Sequence, residues 1–301
     1  MTPRVLAYAR LVRLPNIFTA LSDIGLGMMA ARGDVPWMNA AFLAGASASL
    51  YSGGMVWNDY FDIDQDRRER PSRPLPSGTI SPAAARILGL ALLISGWLLA
   101  AAAGWRSDGF SPWPAVLGGL LVIAILLYDR WLKHTWSGPV GMGLCRFLNV
   151  LLACSAAAEG AIPWGLRIHL ATVVGLYIVG VTWFARTEAG HSELVHLRRA
   201  TGVAALALAL ALPLPLHLAA GTSSVLFPYL LVAFAIGVGA GAVRAWANPD
   251  QLRVQAAVKR AVLGLVALDA VLASAVAGPI GLALLALLPP ALVLGQWVYS
   301  T

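Results

Sequence analysis

The sequence predicts an all-α polytopic membrane protein, a bundle of about nine to ten transmembrane helices in one domain spanning residues 1–301. Three observations predict it. Hydrophobic residues make up 59% of the chain and charged residues 12%, where a soluble domain has roughly a quarter charged; mean hydropathy is +0.75. Apolar runs of the ~20 residues needed to cross a bilayer recur along the whole length. Lys and Arg gather in alternate connections between those runs.

The first run, 14–32, follows Arg10 and Arg13 and has no small-residue cleavage site in a suitable place. It is expected to stay in the mature protein rather than leave as a signal peptide. Runs follow at 38–58, 84–104, 112–131, 138–158, 165–184, 200–219, 225–245, 257–276 and 279–298. Pro213 and Pro215 are expected to kink or break the helix over 200–219, which membranes tolerate. No strand-forming run, soluble domain, low-complexity tract or clear repeat stands out. Cys145 and Cys154 fall on roughly opposite faces of one span and read as two small buried hydrophobes. His169 and His217 stand singly, without a ligand-spaced partner, and read as packing residues. Asp23 and Asp269 differ: a carboxylate inside a span is costly enough to be a functional candidate, unless a Ser, backbone or Arg partner in the bundle satisfies it.

By this assignment 17 of the 21 Lys and Arg lie on one side, together with both termini. Arg32, Arg106 and Arg167 lie on the other, and Arg146 lies within a span. Basic loops stay cytoplasmic, so the active face is expected on the cytoplasmic side, of a bacterial inner membrane. Topology and anionic lipid account for the net charge of +7, which therefore does not argue for nucleic acid.

One stretch departs from this background. In NDYFDIDQDRRERPSRPLPSG, Asn58–Gly78, five of the chain's 14 acidic residues (Asp59, Asp62, Asp64, Asp66, Glu69) crowd between an apolar run and a basic loop. At about 100° per residue, with Asn58 at zero, Asp62 falls near 40°, Asp66 near 80° and Asp59 near 100°. Asp64 falls near 240°, on the far side, where Arg68 at i+4 is its expected partner. Pro71 is expected to end the helix. Carboxylates packed on one face repel unless a cation sits among them, and hard oxygen ligands with room for water suit Mg²⁺. A solvated helix end is the simpler alternative. Mg²⁺ is commonly shared between carboxylates and substrate phosphates, and Arg forks match phosphate oxygens. With no glycine-rich nucleotide loop following a strand, a lipid with a diphosphate head suits the edge of a membrane best.

Asn58-Asp59-x-x-Asp62-x-x-x-Asp66, followed by Arg70-Pro71 and Arg73-Pro74-Leu75-Pro76-Ser77-Gly78, resembles the first signature of the UbiA superfamily of intramembrane prenyltransferases. The start Arg13-x-Pro15-Asn16, the span end Tyr128-Asp129-x-x-x-Lys133 and the stretch GPVGMGLCRFLN extend the likeness over most of the chain; beyond about residue 200 it rests on hydropathy. Within the superfamily the chain looks most like the EboC-like branch. The resemblance implies a helical bundle around a central cavity, in which two acidic motifs hold Mg²⁺ on a prenyl diphosphate. It places Asn58, Asp62 and Asp66, supported by Asp59, at metal-binding positions, and Tyr128 and Lys133 at diphosphate contacts. Arg70 and Arg73 suit phosphate clamps by charge and place. Arg146 and Asn149 share one face of a span, which suggests substrate contact, with a salt bridge from Arg146 to Asp23 or Asp269 as the alternative.

The implied activity is Mg-dependent transfer of a prenyl group to a lipophilic, electron-rich acceptor. Trp57, Tyr60, Phe61, Phe147, Trp183 and Phe184 are expected near the cavity mouth, mostly as interfacial aromatics. One departure stands out. Where the family repeats Asp at helical spacing after the sixth span, the chain reads TWFARTEAGHSE, Thr182–Glu193. Glu188, with Thr187 or His191, is the one acid near the expected place, and Glu193 lies five residues on. A non-catalytic prenyl-lipid binder and a transporter of a hydrophobic metabolite are the rival readings.

Overall fold

The structure is a computed structural model that describes residues 2–106, 109–186, 193–218 and 223–298. A short helix α1 (Pro3–Leu11) leads through a 3₁₀ turn into α2 (Ile17–Ala30); α3 (Trp37–Phe61) and α4 (Ile63–Glu69) follow, then α5 (Pro82–Ala102). Next come α6 (Trp113–Arg130), a 3₁₀ turn (Leu132–His134), α7 (Gly138–Ser155), α8 (Trp164–Ala185) and α9 (Leu194–Ala211). The chain closes with α10 (Phe227–Ala247), α11 (Gln251–Ala277), a 3₁₀ stretch (Gly278–Leu287) and α12 (Leu288–Val298).

Local sequence explains many of these limits. Ser81 and Asp250 cap α5 and α11, accepting from the amides of Ala84 (3.2 Å) and Arg253 (2.8 Å). Pro82, Pro114, Pro139 and Pro228 sit in first turns, where a missing N–H costs nothing. The α9 helix ends before Pro213 and gives way to a 3₁₀ turn at Leu214–His217, as the prolines predict.

Close backbone approach locks the inner helices together. A Cβ on Gly27 of α2 would sit 2.4 Å from Ala153 Cβ of α7, and one on Gly143 of α7 would sit 2.7 Å from the Gly175 carbonyl of α8. The core of Leu26, Leu43, Leu50, Leu152, Leu170 and Leu268 lies among these helices. Outward, Ile87, Leu90, Ile94 and Leu98 form an exposed apolar stripe at helical spacing on α5, the surface a lipid-facing helix presents.

Among the described residues, seven stretches are long and apolar enough to cross a membrane: Pro82–Ala102, Trp113–Arg130, Gly138–Ser155, Trp164–Ala185, Leu194–His217, Phe227–Ala247 and Gln251–Val298. The chain is thus an all-α polytopic bundle with about seven such segments among the described residues, against the nine to ten expected. Three local causes explain the difference. α2 has 14 residues, and at 1.5 Å each it falls well short of a ~30 Å hydrocarbon core. α3 carries Asn39, Ser47, Ser49 and Ser52 along its length. The runs at 257–276 and 279–298 fall in one continuous stretch, although the chain turns back at Gly278 (φ +75°) and packs Gly281 against the backbone of Ala273 and Ser274. The expectation of an entirely strandless chain also needs correction: Trp105–Arg106 and Gly109–Phe110 pair as a two-stranded antiparallel hairpin between α5 and α6.

Candidate active and metal site at the cavity mouth

The acidic stretch straddles the junction of α3 and α4. Asp62 interrupts regular helix, yet the amides of Asp62, Asp66 and Arg70 still donate to the carbonyls four residues back, at 3.1, 2.8 and 2.8 Å. Helical phase therefore carries through, and the side chains sort by face as the spacing predicts. Asp59 and Asp66 are buried at 5% and 4% exposure. Arg73 reaches both, at 3.5 Å from Asp59 and 2.8 Å from Asp66, and Arg13 approaches Asp59 at 3.3 Å. Arg13 has φ of +49°, a left-handed backbone that a β-carbon disfavours, and this brings the guanidinium to Asp59 from the start of the α2 entry turn. Asp64 points away, its side chain 81% exposed, and pairs with Arg67 at 2.7 Å, so the expected i+4 partner Arg68 gives way to the i+3 residue.

The loop after α4 is ordered by its own hydrogen bonds. Ser77 and Ile80 amides donate to the carbonyls of Arg73 and Pro74, both at 3.0 Å. Leu75 and Ile80 are buried against Leu11 and Val56. This anchoring aims Arg73 at the acids. Arg70, which follows the end of α4, is exposed and forms no ion pair with them.

A second wall comes from the end of α6. Lys133 lies 2.7 Å from Asp62 and donates to the Asn58 carbonyl at 3.3 Å, with His134 farther off at 3.9 Å. The Asn58 amide donates to Asp129 Oδ1 at 3.1 Å. Asp129 is 2% exposed and its Oδ2 has no hydrogen-bond partner. Sequence reasoning quoted Asp129 within its motif but assigned it nothing, and it also passed over Arg13 as a partner of the acids.

Tyr128 and Asp129 also line a narrow cavity bounded by α2, α3, α6 and α7. Leu50, Met55, Leu121, Ile125 and Met142 make it mostly apolar, while Ser47, Tyr51, Arg146 and Asn149 supply polar groups. Arg146 donates to Asp23 (3.0 Å) and to the Thr19 carbonyl (3.0 Å) and hydroxyl (2.7 Å), and it stands over the Tyr51 ring at 5.4 Å. Asn149 donates to Asp23 at 2.7 Å and accepts from Ser47 at 2.9 Å. Ser22 donates to Asp269. The intramembrane carboxylates thus have partners of the kinds expected, and the salt bridge from Arg146 runs to Asp23 while both Arg146 and Asn149 still reach the cavity wall.

Two other expectations change. His169 and His217 are not solitary: their ring nitrogens lie 2.9 Å apart, joining α8 to the turn after α9. Glu193, at the start of α9, pairs with His196 at 3.4 Å. Glu188, Thr187 and His191 lie outside the described residues. Both cysteines are free, Cys154 buried and Cys145 half-buried on the cavity wall, in line with their reading as packing residues.

Fold and site together define a polytopic helical-bundle protein whose apolar intramembrane cavity opens onto a ring of opposed acids and bases. The UbiA prenyltransferase family matches residues 17–263, and the chain belongs to that family. Among curated relatives, digeranylgeranylglyceryl phosphate synthase of Ignicoccus hospitalis is 31% identical over 194 residues, 61% of each chain. The same enzyme of Methanopyrus kandleri is 30% identical over 221 residues, 65% of this chain and 80% of that one. Protoheme IX farnesyltransferase of Salinispora tropica is 33% identical over 174 residues, 54% and 51%. The matches span 61%, 41% and 58% of the length of three digeranylgeranylglyceryl phosphate synthases, those of Ignicoccus hospitalis, Hyperthermus butylicus and Sulfurisphaera tokodaii. A solved structure of digeranylgeranylglyceryl phosphate synthase superposes with a TM-score of 0.65 at 21% identity, over 91% of this chain and 99% of that one. A UbiA homologue from Archaeoglobus fulgidus, bound to GPP and Mg²⁺, gives 0.62 at 16% identity, over 88% and 99%. These likenesses show a shared fold.

Proposed function

We propose that the protein is a Mg-dependent intramembrane prenyltransferase, moving a prenyl group from a prenyl diphosphate to a lipophilic acceptor. One observation carries this reading: the apolar cavity ends at Tyr128 and Asp129, beside Asp59, Asp62 and Asp66 and the cations Arg13, Arg73 and Lys133. An apolar chain suits the first and a metal-bound diphosphate the second. The donors fit Mg²⁺ by chemistry, since Asn58, Asp62 and Asp66, with Asp59 in support, offer hard oxygens. Among the described residues no three His, Cys, Asp or Glu side chains are grouped so as to hold a metal ion by themselves.

When bound, Mg²⁺ neutralises diphosphate oxygens and makes the group easier to expel. In this proposal Lys133 and Arg73 exchange their carboxylate partners for phosphate oxygens, while Tyr128 orients the head from the cavity side. Arg70, exposed next to the anchored loop, meets the head only if the loop closes on it. Glu188 serves as the remnant of the second acidic motif. The apolar walls exclude water from the cation that develops as the allylic C–O bond breaks. Arg146 and Asn149 offer donors to the acceptor from the cavity's inner wall.

The related enzymes carry different names for what they prenylate, so the acceptor is proposed only as a lipophilic, electron-rich molecule. The finer EboC-like placement rests on the sequence resemblance alone. We place the acidic edge on the cytoplasmic face of a bacterial inner membrane because the basic residues collect there. A reporter inserted after Gly78 should read cytoplasmic and one in 106–111 external; the opposite readings would invert the orientation.

The decisive experiment is transfer of radiolabelled prenyl diphosphates into lipid extract by purified protein, with Mg²⁺ or with chelator. Mg-dependent label in a new lipid supports the reading. Mg-dependent donor binding without product would instead make the protein a prenyl-lipid binder. Label-free movement of a hydrophobic metabolite across vesicles, with no diphosphate binding, would favour a transporter.

A further inference from the structure

Asp129 has a place in the fold but no hydrogen-bond partner for one of its two carboxyl oxygens. It sits in the last turn of α6, 2% exposed. Asn58 occupies its Oδ1 at 3.1 Å, and Oδ2 has no partner. A buried carboxylate oxygen left bare is among the costlier defects a fold can carry, and such defects persist where a ligand completes them.

Two features aim that oxygen into open space. Asp129 is part of the cavity wall. Facing it on α3 is Gly54, where an added Cβ would come to 3.9 Å from Asp129 Oδ2 and 3.1 Å from Ile125 Cγ2. Gly54 lies one helical turn before Asn58, so the missing side chain keeps clear the space beside the Asn58–Asp129 pair. Lys133 marks the other border, 2.7 Å from Asp62 and 3.3 Å from the Asn58 carbonyl.

Building on the metal–diphosphate reading of this site, we infer that Asp129 is a further ligand of that metal, reaching it from α6 opposite the α3–α4 acids. The inference answers a deficit in the sequence, since TWFARTEAGHSE lacks the repeated acids that would supply a second carboxylate wall. An α6 carboxylate joined to Asn58 and bordered by Asp62 gives the ion two oxygen-bearing walls with space between them for water and phosphate oxygens. In the metal-free protein Asp129 Oδ2 lacks a hydrogen-bond partner, and binding would supply one.

The test uses the full-length protein in lipid nanodiscs, with Mn²⁺ as a paramagnetic stand-in for Mg²⁺ and inorganic diphosphate as the phosphate probe. Wild type should take up Mn²⁺ by electron paramagnetic resonance, more tightly with diphosphate present. Asp129→Asn keeps the shape and an acceptor for Asn58; it should weaken that uptake at least tenfold while raising the melting temperature of the metal-free protein. Gly54→Ala, which leaves both side chains in place but fills the space before Oδ2, should weaken uptake as well. Asp64→Ala should bind like wild type. Unchanged Mn²⁺ uptake in Asp129→Asn, alone or with a lower melting temperature, would make Asp129 structural and overturn the inference while leaving the metal–diphosphate reading intact. A wild type that takes up no Mn²⁺ with diphosphate would overturn both.

Discussion

Two charged clusters in this molecule are built from similar residues and organised in opposite ways. In the middle of the bundle, Asp23, Asp269, Arg146 and Asn149 are tied by short bonds among α2, α7 and α11, with Ser22, Ser47 and the Thr19 backbone filling in. Arg146 lies 3.0 Å from Asp23 Oδ2, while the buried Asp23 Oδ1 and Asp269 Oδ1 have no hydrogen-bond partner among the described residues. At the edge, Asp59, Asp62 and Asp66 meet Arg13, Lys133 and Arg73 in contacts of 2.7 to 3.5 Å, several partly exposed, beside an Asp129 oxygen with no partner. The inner cluster is buried, pairs Arg146 with Asp23 and joins helices. In the proposed reading, the outer one holds partners that an arriving phosphate and cation would replace. Position in the membrane would then separate a structural ion pair from an exchangeable one.

The largest expected effect tests the inner half of that contrast. Arg146→Met removes the only guanidinium among two buried carboxyls, and breaking a buried pair from one side costs about 3–5 kcal/mol. Thermal unfolding in detergent should show a large drop, and Asp23→Asn in the same chain should recover part of it. An Arg146→Met variant that melts like wild type would remove the brace and leave Arg146 only the acceptor contact proposed for it.

At the edge, Asp62→Ala or Asp66→Ala should cut turnover by about 10²–10³-fold, the range found when a group stabilising transition-state charge is removed. Melting temperature should change less than in Arg146→Met. Glu188→Gln comes next: a smaller loss of turnover, about tenfold or more, with donor affinity nearly kept because Asn58, Asp62 and Asp66 remain. Equal turnover in wild type and Glu188→Gln would remove Glu188 from the site.

What the sequence made legible follows from the range of the interactions involved. The shared face holding Asn58, Asp59, Asp62 and Asp66, with Asp64 outside it, could be read because helical phase is local and survives the irregularity at Asp62. The end of α4 before Pro71 and the break at Pro213 were legible for the same reason. The pairing of Lys133 with Asp62 joins residues 71 positions apart, so the resemblance pointed to Lys133 but not to its partner. The His169–His217 contact and the Asn58–Asp129 bond span 48 and 71 positions and left no periodic trace. The segment count differs where hydropathy and geometry diverge, in the short α2, the serine-bearing α3 and the continuous stretch in which the chain turns back after α11.

The smallest expected effect is also the sharpest control on the comparison. Asp64 lies in the same acidic run as Asp62 and Asp66, two residues from each, and a reading based on bulk negative charge gives all three equal weight. The structure separates them: the Asp64 side chain is 81% exposed and pairs only with Arg67, itself 58% exposed. Exposed pairs of this kind contribute about 0–1 kcal/mol, and this one faces away from the cavity. Asp64→Ala should therefore leave melting temperature, Mn²⁺ uptake with diphosphate and turnover within twofold of wild type. Asp66→Ala, which strips Arg73 of its 2.8 Å partner, should lose most of its turnover. The comparison needs one Mg²⁺ titration of each variant at low and high salt, because a bulk-charge effect fades as ions screen it and a ligand effect does not. Equal, salt-sensitive losses from both variants would reduce the edge cluster to a charged surface and remove the distinction between its two faces.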